Sequence, residues 1–447
     1  MLINKESDMR LLIKVFSLGL FILFSGLQSY AENLSTPTEK YWPSSTCRDC
    51  HVKAYDQHLK SMHARAFVDP VFQAQYFREL LPRIDREREL SQDAEGCISC
   101  HSPITYSKGR KLVKSKRDVS SDASGVTCDF CHTIKDFNGD KPGSGNYISV
   151  PAKQKLGPIK SKSNWHHTYS ELHTKSEFCA ICHNMTNRFG LEIKSTYTEW
   201  KNSPYAEADI QCQDCHMNAK GFLIGDKPVF ESGKSSQSVL GYSPYREKLH
   251  THRFPGAHSS EQVVGAIKLG IEFSRPEASS GDEIMLKIII DNSRTGHKMP
   301  TGSSDLRFMY LEVKVAARDK VISVPAGPVS GVTGYDVTGF RMSDVGTIGD
   351  DIAKGMRIYR SIFVDKMDRQ TFSSYEAVKI IFDNRIDACE IREENYKFVI
   401  PEDAGEAISV EARLYYVPYP ASFAEKLELP KPEAFEISSI TKKFDIK

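Results

Sequence analysis

The rhythm of apolar and polar positions changes near residue 264. Downstream, Ile408, Val410, Ala412, Leu414 and Tyr416 alternate with Ser409, Glu411 and Arg413, the period-two pattern of a strand with one face in a core and the other in water. The runs from Ile284 to Ile290 and from Arg307 to Val315 are rich in strand-forming residues, and Ser280-Gly281-Asp282, Gly327-Pro328 and Gly349-Asp350 supply turns. The second part of the chain therefore predicts an all-β sandwich of roughly seven or more strands, with an immunoglobulin-like topology as the candidate.

The first part lacks that alternation. Short helices are expected at Ala54 to His63, Val71 to Leu81, Asp85 to Ala94, Tyr169 to Phe178 and Tyr197 to Glu207. Helices so short are marginal alone, because nucleation is costly and side-chain packing must offset it. A mainly α-helical and irregular half built from such pieces needs a large apolar partner to pack against.

The N-terminus has its own pattern. Lys5, Arg10 and Lys14 lead into the apolar run from Val15 to Phe24, and Ser29-Tyr30-Ala31 places small residues where a signal peptidase cuts. Cleavage after Ala31 and export to the periplasm or the extracellular space are expected. The resulting division is a signal peptide over 1–31, a first domain over 32–262 and a β-sandwich accessory domain over 263–447.

Charge narrows the classes of function. The chain has 59 Lys and Arg against 58 Asp and Glu, a net charge of +1. The expected signal segment removes three basic and two acidic residues, leaving zero. That balance argues against a nucleic-acid-binding protein, which ordinarily carries a basic surplus.

The chemistry is concentrated in the cysteines and histidines. Between Tyr41 and Ser260 lie ten of the eleven Cys and thirteen of the fourteen His. The ten cysteines fall into five Cys-x-x-Cys-His motifs: Cys47, Cys50 and His51; Cys97, Cys100 and His101; Cys128, Cys131 and His132; Cys179, Cys182 and His183; and Cys212, Cys215 and His216. This is the pattern for covalent attachment of c-type haem. Two thiols three positions apart reach the two vinyl groups on one porphyrin edge, and the next residue places its imidazole beneath the iron. Zinc would not require His after every second Cys, iron–sulfur clusters need other spacings, and disulfides leave the fivefold His unexplained. Five attached haems and their irons are therefore expected, and the porphyrins are the apolar surface the short helices need. Cys389 stands apart and reads as a small packed residue.

The first cysteines of successive motifs are spaced by 50, 31, 51 and 33, which hints at an internal duplication. Tyr55, His58, Ser61 and His63 precede motif two as Tyr197, Trp200, Ser203 and Tyr205 precede motif five, so Tyr205 stands where His63 stands in the other copy. Nine His remain as candidate second axial ligands. His63 and His173 sit in similar Ser-led contexts, and His252 and His258 flank the turn residues Phe254-Pro255-Gly256. These four come first, with His167 fifth and His166 nearly equal to it; His58 and His250 read as structural or exposed. Thr295-Gly296-His297-Lys298-Met299-Pro300-Thr301-Gly302 interrupts the β-rich half. Its leading expectation is a strand-connecting turn in which His297 makes a hydrogen bond, with distal ligation as the lesser alternative. Met185, Met217 and Met299 are expected to pack rather than bind iron.

The stretches Tyr55 to His63, Ser170 to His183, Tyr197 to Met217 and His252 to His258 resemble the multihaem superfamily that includes the tetrahaem cytochrome of nitrifying bacteria and the hydroxylamine oxidoreductases. The resemblance implies that His63, His173, His252 and His258 are distal ligands and that the haems pack in parallel and perpendicular pairs. The segment from Gly296 to Gly302 and its β-rich surroundings resemble a C-terminal domain of some multihaem cytochromes from metal-, sulfur- or nitrogen-respiring bacteria. Five haems match neither the tetrahaem nor the octahaem members, and Tyr205 breaks the local repeat.

An iron held by two imidazoles exchanges electrons without a vacant site for substrate. Electron transfer between redox-protein partners, such as a membrane quinol oxidase or another multihaem cytochrome, is the leading expectation. The alternative is an oxidoreductase acting on a small nitrogen or sulfur compound at one haem with an open axial position. The β-rich half offers strand edges for a partner or for oligomers.

Overall fold

The structure is a computed structural model that describes residues 40–160, 167–221, 223, 227–238, 243–318, 320–322, 324, 352 and 356–447. The expected signal segment, His166 and the turn signals Gly327-Pro328 and Gly349-Asp350 lie outside the described residues.

The first half is a set of short helices joined by loops and small hairpins. Those that carry the chemistry are α1 (Ser44–Arg48), α2 (Val52–Leu59), α3 (Met62–Arg65), α4 (Leu90–His101), α5 (Cys128–Cys131), α6 (Ser176–His183), α7 (Thr196–Lys201), α8 (Pro204–Glu207) and α9 (Cys212–His216). Local chemistry sets their ends. The Ser61 hydroxyl accepts from the Ala64 N–H and starts α3, splitting the helix expected over Ala54 to His63 into two. Pro204 opens α8 and separates it from α7, dividing the helix expected from Tyr197 to Glu207. The helices expected at Asp85 to Ala94 and Tyr169 to Phe178 lie further along, as α4 and α6, where they run into attachment motifs. Val71 to Leu81 forms a helix at Pro70–Ala74 that widens into a π-helical segment over Gln75–Leu80.

The second half contains β1 (Lys268–Phe273), β2 (Glu283–Asp291), β3 (Phe308–Ala317), β4 (Lys320–Ile322), β5 (Arg357–Tyr359), β6 (Ser361–Val364), β7 (Lys379–Asp383), β8 (Ile391–Val399), β9 (Ala407–Val417) and β10 (Phe435–Asp445). One sheet has the order β8-β2-β1; a larger one has β4-β3-β9-β10, with β5 also on β3, and β6 pairs with β7 separately. β3 and β9 run antiparallel from Phe308 opposite Val417 to Ala317 opposite Ile408. The period-two expectation holds along β9, whose Ile408, Val410, Ala412 and Leu414 are buried. They share one core with Ile284, Leu286, Ile288 and Ile290 of β2, so apolar faces of the two sheets meet.

The halves meet at the loop from Thr295 to Gly302. A Cβ on Gly296 would lie 3.2 Å from Cβ and Cγ of Tyr205 and 3.3 Å from Cδ1 of Trp200, so the loop packs tightly on α7 and α8 and any larger residue would push these rings aside by a few tenths of an ångström.

Candidate functional site

A helix places residues three and four apart on one face, so a Cys-x-x-Cys-His motif on a helix sends both thiols and the imidazole the same way. α4, α6 and α9 each contain a whole motif, α5 holds both cysteines of the third, and the first begins on α1 and ends at His51, which precedes α2. The ten cysteines and five histidines of the motifs all line one continuous cavity of about 1650 Å³. Thiols of different motifs lie close enough there to shift one another's ionisation: Cys47 and Cys128, Cys100 and Cys182, and Cys179 and Cys212. Cys131 is near enough to act electrostatically on Cys179 and Cys182. Motif three thus adjoins motifs one and four, and motif four also adjoins motifs two and five.

Backbone carbonyls orient three of the motif imidazoles. Nδ1 of His51 lies 2.8 Å from the Ser235 carbonyl, that of His101 2.7 Å from Ala66, and that of His132 2.6 Å from Leu156. A carbonyl only accepts, so Nδ1 carries the proton and Nε2 keeps its lone pair for a metal.

Other imidazoles face the motif histidines at a recurring distance. Ring centres are 6.1 Å apart for His63 and His183, 6.4 Å for His132 and His252, and 6.2 Å for His216 and His297. Two imidazoles bound end-on to one metal through bonds of about 2 Å hold their ring centres roughly 6 Å apart. His173 is 6.0 Å from His132, but its Nε2 lies 3.1 Å from the Cys131 carbonyl, which leaves Nδ1 as its lone-pair nitrogen. Burial, before any neighbouring charge, lowers the pKa of His63 and His252 to about 3 and of His173, His183 and His216 to about 4. These rings stay neutral, the form that binds metal.

The remaining candidates stand differently. His167 reaches the cavity, yet its Nε2 is 2.6 Å from the Ile159 carbonyl. His258 also lines the cavity, with Nε2 4.0 Å from an Asp69 carboxylate oxygen. His58 has Nε2 2.8 Å from the Val126 carbonyl and Nδ1 3.8 Å from Cys128 Sγ, so both nitrogens are engaged. His250, expected to be structural or exposed, lines the cavity with a buried Nδ1. The ring stacked on His101 belongs to Phe72, with centres 4.0 Å apart. His297 makes the expected hydrogen bond, from Nδ1 to the Lys298 carbonyl at 2.9 Å, and also faces His216. Its signal was a histidine set between two glycines and a proline in an otherwise strand-rich region.

The residues present fit haem. Nδ1 atoms of His173, His250 and His252 are buried without a hydrogen-bond partner among the described residues, although buried polar atoms ordinarily have one. A porphyrin brings four nitrogens to its own iron, so the protein needs only one or two imidazoles per metal, and imidazoles here meet in pairs.

Comparison with known proteins agrees. The family described as cytochrome c554 and c-prime matches residues 46–133, which span the first three motifs. A pentahaem cytochrome c552 from Thermochromatium tepidum superposes with a TM-score of 0.60 at 20% identity, covering 90% of this chain and 99% of that one. The sporulation control protein Spo0M from Bacillus subtilis matches with a TM-score of 0.16 at 8% identity over 41% of this chain and 50% of its own, too little to carry an argument. No curated protein matches this chain. The first half thus carries five c-type attachment motifs, the first three within a stretch that matches a cytochrome family. Together with the β-rich half it has the fold of a pentahaem cytochrome c552.

Proposed function

We propose that this chain is an exported electron carrier that passes electrons between respiratory redox partners through five covalently attached haems, most of them held between two imidazoles. The observation that carries the reading is the single cavity lined by every attachment residue, with thiols of neighbouring motifs close enough to influence one another. Haem iron supplies the one-electron chemistry. The cysteines would fix each porphyrin edge, the motif histidines would donate Nε2, and His63 and His252 would hold the haems of motifs four and three from the facing side. His173 faces the same His132 and offers Nδ1, because its Nε2 is tied to the Cys131 carbonyl, which makes it the alternative to His252 at motif three. The arrangement of motifs supports kinship with the superfamily of the nitrifier tetrahaem cytochrome and hydroxylamine oxidoreductase, and the N-terminal pattern supports a periplasmic or extracellular location. Partners are redox proteins that dock near haem edges.

A specific observation favours a second reading at one position. Among the described residues no ring faces His101 at the spacing of about 6 Å seen for the other imidazole pairs, and Asp69, Lys194, His258 and Arg307 line the same cavity. A haem on motif two would then offer an open axial position beside cationic groups suited to a nitrogen or sulfur oxyanion. Low-temperature EPR of the oxidised mature protein, with haem stoichiometry on the same sample, separates the readings. Five low-spin haems leave electron transfer alone; one high-spin haem that shifts on adding nitrite, sulfite or hydroxylamine establishes the second. Fewer than five haems per chain would overturn the proposal.

A further inference from the structure

We infer that the β-rich half supplies an iron ligand: His297 binds, through Nε2, the iron of the haem attached at Cys212 and Cys215, and the buried pair of Glu199 and Arg385 presents it. The inference rests on the five-haem reading above and assigns to motif five a ligand from the other half of the molecule.

The imidazoles of His216 and His297 face each other with ring centres 6.2 Å apart and planes within 13°. Donation from His297 Nδ1 to the Lys298 carbonyl selects the tautomer whose Nε2 has a free lone pair. The loop that carries this ring is held from both sides. Within the β-rich half, the Thr295 hydroxyl and the Asn292 side-chain amide donate to the His297 carbonyl at 2.9 and 3.2 Å. From the haem-bearing half, one carboxylate grips the same loop: Glu199 Oε2 accepts from the Lys298 N–H at 3.2 Å and from the Thr301 hydroxyl at 2.6 Å.

Arg385 completes the clamp. Its Nη1 donates to Glu199 Oε1 at 2.8 Å and to the Pro300 carbonyl at 3.1 Å, and Asp383 holds the other side of the guanidinium. The side chains of Arg385 and Glu199 are 4% and 5% exposed. Burying such a pair costs more than it returns unless geometry and hydrogen bonds are complete. A plain connecting turn has no need of it; a loop that must hold an imidazole at a fixed distance across a domain boundary does. Glu199 and Arg385 are positioning residues, acting through the loop rather than on the iron.

The test uses the mature full-length protein with its haems, read by low-temperature EPR, haem stoichiometry and redox titration. His297→Gly should convert one haem in five from low to high spin, and added imidazole should return it to low spin. His297→Met, which keeps a ligand and is less prone to misfold, should raise the potential of one haem and introduce the near-infrared band of His–Met ligation. Glu199→Gln should make the same haem partly high-spin while all five remain attached. Five haems with an unchanged spin state in His297→Gly, or unchanged potentials in His297→Met, would overturn the inference and leave the five-haem reading intact. A wild-type protein lacking haem at motif five would remove that reading itself.

Discussion

Tyr205 donates its hydroxyl to the Ser293 carbonyl at 2.6 Å, from α8 across to the β-rich half. In the local repeat it stands where His63 stands, so a position that carries an imidazole in one copy carries a domain brace in the other. The imidazole facing motif five comes from the loop that Tyr205 packs against. The break in the repeat therefore does not by itself leave motif five without a facing imidazole.

Tyr205→Phe keeps the ring against Gly296 and removes one hydrogen bond. The expected loss is about 1 kcal/mol, the ordinary worth of such a bond, with no change in haem content. Thermal unfolding followed alongside haem stoichiometry checks it; a drop in attached haem would show that the hydroxyl does more than brace.

His63→Ala and His252→Ala should each create one new high-spin haem, because each ring faces a motif histidine at 6.1 and 6.4 Å. His58→Ala should leave the spin states as they are, since both its nitrogens are engaged elsewhere. EPR spectra of the three oxidised variants, compared at equal haem content, decide the matter.

Asp129, within motif three, forms a buried ion pair with Lys155 at 2.5 Å, and Lys155 Nζ lies 4.3 Å over the Trp42 ring. Lys155→Met leaves a buried carboxylate without its cation and should destabilise the protein by about 3–5 kcal/mol. Adding Asp129→Asn should recover part of that loss. A denaturation midpoint for each single variant and the double measures the coupling, and strict additivity would argue against a functional pair.

Burial pushes the Asp383 carboxyl up, but hydrogen bonds and charge from Arg385 outweigh it and hold the pKa below the ordinary 3.8. The folded value is the lower one, so the stability this group contributes is present above pH 3.8 and is lost as pH falls through the depressed value. Asp383→Asn should flatten that part of the acid limb of a stability–pH curve. An unchanged limb would mean that the Arg385 contact does not survive in solution.

Legibility followed the range of the interactions. The attachment motifs are local, and a strand such as β9 declares its buried face by alternation alone, so both could be read from the chain. Helix limits were read less well: α4 and α6 continue into motifs whose proposed partner is a porphyrin, and no periodicity of side chains reports a surface that the chain does not encode. The pairing of His216 with His297 depends on how one half docks on the other, held by Glu199 and Arg385, which lie far apart in the sequence. Only the unusual composition of the Gly296 to Gly302 loop marked the place.

The thiols of motif four neighbour those of motifs two and five, while motif three, beside it, leads on to motif one. On the proposed five-haem reading, haems at these positions would form a three-armed junction rather than a line. A reducing equivalent entering at one tip has two exits, so traffic is decided by which tip has a vacant acceptor. A stalled partner at one arm diverts flow into the other instead of halting it.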